Sequence, residues 1–170
     1  TFRALQGRYG GFLGATFRFL EPGVGGLAGR TSELVSELLF RGLGALYFVA
    51  FVAVLKQFRP LLGERGLLPV PDYVARTEFW GSPSLFYWRY SDRLLMAVAG
   101  LGLALSALIV TGVPLHSFIL SMGIWLTLWA LYLSVVNVGQ RFYGFGWESM
   151  LLEAGFFAAF LDDFLDFFAA

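Results

Sequence analysis

Two carboxylates, Glu148 and Glu153, stand in the otherwise apolar stretch FYGFGWESMLLEAGFFAAFL, and Asn137, Gln140 and Arg141 come just before it. Two carboxylates can share acid/base work only if they share a face. These are five residues apart, about 140° around a helix of 3.6 residues per turn, so they form no dyad by themselves. A helix is predicted from near Trp147, which puts Glu148 in its first turn. Free N–H groups there stabilise a negative charge, typically by ~0.3–1 kcal/mol. Glu153 lies about two turns in, on the face of Ser149 and surrounded by Leu151, Leu152, Phe156 and Phe157. An ionised carboxylate at that depth in lipid costs several kcal/mol unless it is paired or wetted. It is therefore expected to face protein or a water-filled cleft, with Arg141 as first partner and Arg41 as second. Arg41, Asn137, Gln140, Arg141, Glu148 and Glu153 form the candidate polar cluster. It reads either as a brace that fixes how helices meet or as a polar site at the membrane interface. The brace is preferred, because no second carboxylate shares the face of Glu153.

Other chemistry is thinly represented. The chain has no cysteine and one histidine, His116, read as a hydrogen-bonded structural residue near an interface. There is no Ser-His-Asp set, P-loop or dinucleotide fingerprint. No catalytic residue, cofactor or metal site is assigned. Twelve Lys and Arg balance twelve Asp and Glu, which removes the clustered cation that nucleic acid requires.

The elements that must position these residues are helices in lipid. Apolar residues make up 58% of the 170 and charged residues 14%, with a mean hydropathy of +0.70. So few charges cannot cover a water-facing surface, and the chain is read as an integral membrane protein with lipid as its first partner. The expected fold class is all-α, a polytopic membrane helical bundle of about four spanning or partly spanning helices with a long interfacial loop. Residues 1–30, rich in Gly and Arg, read as an interfacial or flexible leader without a signal peptide, and 31–170 as the helical domain. Helices are expected near 34–55, 94–113, 117–138 and 147–168, the last short and partly spanning. Gly100, Gly102 and Ala104 would let a neighbouring helix approach closely. Trp125, Trp129, Tyr132 and Val136 recur at helical spacing as a packing stripe. Pro114 closes the second helix, leaving a tight hairpin to the third. Between Lys56 and Arg93, prolines at 60, 69, 71 and 83 argue against a continuous helix. Phe79, Trp80, Phe86, Tyr87, Trp88 and Tyr90 in this connection suit interfacial anchoring, with Trp80, Tyr87 and Trp88 as candidate contacts to a protein partner. Lys and Arg number four in 1–30 and six in 56–93, which leaves orientation open.

The segments FRGLGALYFVAF (40–51), LLGERGLLPVPDYV (61–74), PSLFYWRYSDRLL (83–95) and LYLSVVNVGQRFYGFGWESMLLEAGFFAAFL (131–161) together resemble the N-terminal transmembrane region of the lipase maturation factor family. The block FYGFGWESMLLEAGF is the most specific part. The resemblance implies a membrane protein that assists folding and assembly of a protein client, or scaffolds a complex with other subunits. It is closer to the bacterial sort, which implies a bacterial plasma membrane rather than the endoplasmic reticulum. The region is also distantly similar to vitamin K-dependent gamma-carboxylases, which implies an enzymatic alternative. A structural subunit of a larger membrane complex is a third. The enzymatic reading leans negative. The first 30 residues and the tail DDFLDFFAA carry no resemblance.

Overall fold

The run from Gly42 to Leu55 carries no charge. In lipid such a run must pair its own backbone groups, and a helix does so within one segment. The computed structural model describes residues 34–112 and 118–169, with side chains up to Leu161, Phe118 excepted. The expected leader, Pro114 and His116 lie outside these. Helix α1 spans Leu34–Leu62, α2 is the short Val70–Val74, α3 spans Asp92–Val110, α4 Phe118–Val138 and α5 Gly146–Ala169. No strand occurs among the described residues. Three helices, Leu34–Leu62, Asp92–Val110 and Ile119–Val138, are long and apolar enough to cross a membrane. The protein is an all-α membrane helical bundle, and the packing described below lies within Leu39–Ala170.

α1 runs beyond its expected end at Leu55, straight through Pro60. A proline inside a helix lacks the N–H for the carbonyl four residues earlier and crowds it. Here that carbonyl is Lys56, and the residues Val54–Phe58 relax into a π-helical turn just before the proline. The wider turn keeps Val54, Phe58 and Leu62 all buried at four-residue steps, so the inward stripe begun by Leu43, Tyr47, Ala50 and Phe51 is not lost. Gly63 then ends the helix with an extended backbone and returns its N–H to the Arg59 carbonyl.

Both ends of α3 are set by local chemistry. The Ser91 side chain accepts from the Leu94 N–H, capping the first turn. At the other end Gly112 adopts φ 67°, the left-handed conformation that closes a helix, so α3 stops at Val110 before Pro114 is reached. α5 spans Gly146–Ala169, against an expectation of 147–168, and it is not among the three long apolar helices.

The core is aromatic. Tyr47, Phe51, Trp125 and Tyr132 are buried together, with Tyr47 and Tyr132 edge-on at 5.6 Å and Phe51 and Tyr132 also edge-on at 5.6 Å. Edge-to-face pairs of this kind contribute about 0.5–1.5 kcal/mol beyond burial. The expected stripe on α4 is rotated slightly. Trp125, Leu128, Tyr132 and Val135 face inward, while Trp129 is half-buried and packs on Phe156 at 5.5 Å. Bulky rings need small partners. A Cβ at Gly102 would come within 2.3 Å of the Phe51 ring, one at Gly44 within 2.8 Å of Ile109, and one at Gly155 within 2.0 Å of the Tyr47 hydroxyl oxygen. Of the three small residues expected to admit a neighbour on α3, only Gly102 does so. Gly100 has nothing within 4 Å and Ala104 is exposed.

Gly155→Ala is therefore expected to destabilise by about 1–3 kcal/mol, the cost of overpacking. Gly100→Ala, with open space, is expected to leave stability unchanged or raise it through helix propensity. Thermal unfolding of the two variants in detergent checks the contrast.

Candidate functional site

α5 presents Leu151, Leu152, Gly155, Ala158 and Ala159 inward, and one turn before them on the same face lies Glu148. Glu148 is 2% exposed. Its carboxylate accepts a hydrogen bond from the Tyr132 hydroxyl on α4, which is also buried. A buried carboxylate without a donor would be strongly penalised, so this contact fixes the rotation of α5 against α4. A second hydroxyl acts similarly. Tyr47 Oη donates to the Leu151 carbonyl at 3.0 Å, tying α1 to α5. Gly155 is four residues after Leu151, so its missing side chain is what lets the phenol reach that carbonyl. Tyr143, in the connection between α4 and α5, packs against Phe58 at 5.5 Å. Burial first, then the negative charge of Glu148, pushes its hydroxyl above the usual range, so it remains protonated.

The second part of the site is a polar seam that docks the 63–91 connection on the last turns of α4. Ser84 Oγ donates to the Ser134 carbonyl at 2.8 Å, and the Ser134 hydroxyl accepts from the Leu85 N–H at 3.3 Å. Asn137 Nδ2 donates to the Pro83 carbonyl at 2.7 Å. Gln140 Nε2 donates to the Leu68 carbonyl at 3.1 Å. Gln140 has φ 51°, a conformation uncommon for a residue with a side chain, and this bond helps hold it there. The Pro83 and Leu68 carbonyls, which would otherwise need water, are thus paired with side chains at the end of α4 and just beyond it.

The six residues expected to cluster do not assemble. Asn137 and Gln140 belong to the seam, and Glu148 to the helix contact. The buried carboxylate is Glu148, whereas Glu153 is exposed, because the small residues Gly155, Ala158 and Ala159 turn the opposite side of α5 inward. Arg141 is exposed and makes no ion pair with Glu153. Arg41 lies near the other end of α1, its guanidinium against Gly112. Tyr47, Tyr132, Ser84 and Ser134 were not singled out as polar groups. The spacing of Gly155 and Ala158 from Glu148 was the signal available for the first two, since small residues mark the close-packed face of a membrane helix.

Of the candidate partner contacts, Trp80 is 89% and Trp88 83% exposed. Tyr87 is half-buried, edge-on to Phe79 at 5.5 Å, with its hydroxyl donating to the Glu78 carbonyl at 3.4 Å. Phe86 is buried and sits edge-on to Tyr90 at 5.4 Å. Part of the aromatic set is therefore core, and the two tryptophans are exposed, Trp80 touching Phe79 edge-on at 5.7 Å. Among the described residues no group of three His, Cys, Asp or Glu is placed to hold a metal ion. What the site's groups do chemically is donate and accept fixed hydrogen bonds between helices.

Tyr132→Phe is expected to lower stability by at least about 1–3 kcal/mol, since it leaves the Glu148 carboxylate buried without its donor. Glu153→Gln is expected to stay within about 0.5 kcal/mol of the parent, as for surface changes generally. Tyr132→Phe combined with Glu148→Leu should recover much of the loss. Denaturation of all three in the same detergent measures these differences.

Comparison with known proteins agrees with the resemblance noted in the sequence. Residues 34–168 match the family described as lipase maturation factor transmembrane domain. The chain is 39% identical over 140 residues to Lipase maturation factor 1 of Mus musculus, covering 77% of this chain and 24% of that protein. It is 37% identical over 140 residues to Lipase maturation factor 1 of Homo sapiens, covering 77% and 25%. Against Lipase maturation factor 2 of Homo sapiens it is 37% identical over 135 residues, covering 75% and 19%. It thus spans about a quarter or less of the length of these relatives. No solved structure matches. The polar contacts of α4 and α5 fall inside the matched region, and the chain belongs to the lipase maturation factor family.

Proposed function

We propose that this chain is a membrane-embedded assistant of protein folding or assembly, which holds a lipase-type client or complex subunit through the 63–91 connection. The observation that carries the reading is the contrast within that connection. Its backbone is tied to α4 through Ser84, Ser134 and Asn137, while Trp80 and Trp88 stand almost fully exposed. Exposed tryptophans on a fixed support make suitable binding residues, because large rigid rings gain contact area with little entropy to lose. Family membership supports the choice of a protein client over a small substrate. The relatives named above are vertebrate proteins, and they lend no support to the bacterial plasma membrane expected from the sequence. The compartment follows the client.

Trp80→Ala and Trp88→Ala are expected to reduce recovery of a co-expressed lipase in a pull-down from native membranes, with affinity weakened about tenfold or more. The melting temperature in detergent should stay unchanged, since neither indole is buried. Undiminished recovery with both tryptophans removed would place the client elsewhere.

A further inference from the structure

α1 and α3 meet where both leave the bilayer, and a cleft of about 420 Å³ opens there, lined by Arg59, Pro60, Glu64, Arg65 and Asp92. Its depth follows from the charge pattern. Lys56 is the first charge after the uncharged run that begins at Gly42, and Arg59 lies about one turn beyond it. The headgroup layer adds roughly 5–7 Å on each side of the hydrocarbon, so Arg59 sits within it.

The carboxylates in the cleft are already engaged. Asp92 accepts from Arg59 Nε at 3.2 Å, from the Glu64 N–H at 3.0 Å and from the Tyr90 hydroxyl at 3.4 Å. Glu64 Oε1 accepts the Asp92 N–H at 3.2 Å in return. These bonds staple the end of α1 to the start of α3. Burial, then the charges of Asp92 and Glu64, holds the Tyr90 hydroxyl above its usual range, so it stays a donor. The cations are less committed. Arg59 uses its Nε on Asp92 and has 67% of its side chain exposed. The Arg65 guanidinium is exposed and makes no hydrogen bond or ion pair among the described residues. A cleft at headgroup depth, with Asp92 and Glu64 engaged in the staple, the terminal nitrogens of Arg59 uncommitted and the Arg65 guanidinium exposed, presents donors that suit phosphate oxygens.

We propose that this cleft binds the phosphate group of a membrane phospholipid, with Arg59 and Arg65 as its donors and the Asp92–Glu64 staple as the rigid floor. The site is separate from the exposed tryptophans and does not depend on the client reading.

The test uses the full chain purified in a neutral detergent, with dioleoylphosphatidylglycerol, dioleoylglycerol and inorganic phosphate as probes. Native mass spectrometry counts bound lipid, and thermal unfolding gives the accompanying shift. One phosphatidylglycerol per chain is expected, together with a raised melting temperature. Arg65→Gln should weaken binding about tenfold, the change that follows loss of one charge-assisted contact, and leave the lipid-free melting temperature unchanged. Arg59→Lys keeps the charge beside Asp92 but removes the fork, and should weaken binding without unfolding the staple. Arg76→Gln, outside the cleft, should bind as the parent does. Equal stabilisation by inorganic phosphate would overturn the lipid source and assign the cleft to a free phosphate. Equal binding of dioleoylglycerol, undiminished binding by Arg65→Gln, or equal loss with Arg76→Gln would overturn the site.

Discussion

A carboxylate buried in a bundle that lipid surrounds must have a donor, and Glu148 has one in Tyr132. Much of the arrangement depends on that requirement. It sets the rotation of α5, since turning the helix to bury Glu153 instead would expose Gly155, Ala158 and Ala159 and drive phenylalanines into α1. It makes Tyr132 an inward residue, which in turn places Tyr47 and Phe51 edge-on to its ring. Tyr47 then reaches the Leu151 carbonyl through the space left by Gly155. Breaking such a contact from one side costs more than the bond itself contributes, because the partner stays buried.

The same rule explains why the long connection is ordered against the bundle. Its prolines rule out one continuous helix, so several of its carbonyls would be orphaned near lipid. Ser134, Asn137 and Gln140 on the last turns of α4 and just beyond take up loop backbone groups, and Ser84 takes the reciprocal part. Asn137 and Gln140 stood out in the sequence as possible members of a reactive cluster. Their amides are instead spent on Pro83 and Leu68 carbonyls, which suits them to positioning.

The three apolar spans and the all-α class were legible because a membrane helix needs only a long uncharged run, and such runs survive in any register. Rotation was not. The choice between Glu148 and Glu153 turns on which side of α5 packs. The eye is drawn to the carboxylate deeper in the apolar run, whereas packing follows the small residues. The π turn before Pro60 was hidden for a related reason: a proline reads as a stop, and only the buried sequence Val54, Phe58, Leu62 reveals that the helix widens and continues. The serines of the seam gave no signal, since a serine in a spanning helix can satisfy itself on its own backbone, as Ser134 also does with Ala130.

Aromatic residues form 18% of the chain, with 19 phenylalanines. In water such a core would be held by expulsion of solvent. Between helices in lipid that force is absent, because the acyl chains are as apolar as the side chains they would replace. What remains is close packing, directional ring contacts and hydrogen bonds, and each appears here in matched pairs: Phe51 over Gly102, Tyr132 edge-on to Tyr47, Tyr47 on Leu151. A ring of fixed shape against a glycine gives a contact that a flexible aliphatic pair would not define as tightly. The high aromatic content is thus the means by which this bundle specifies one arrangement of its helices. Trp80 and Trp88, which are not buried between the helices, are left available for contact outside that arrangement.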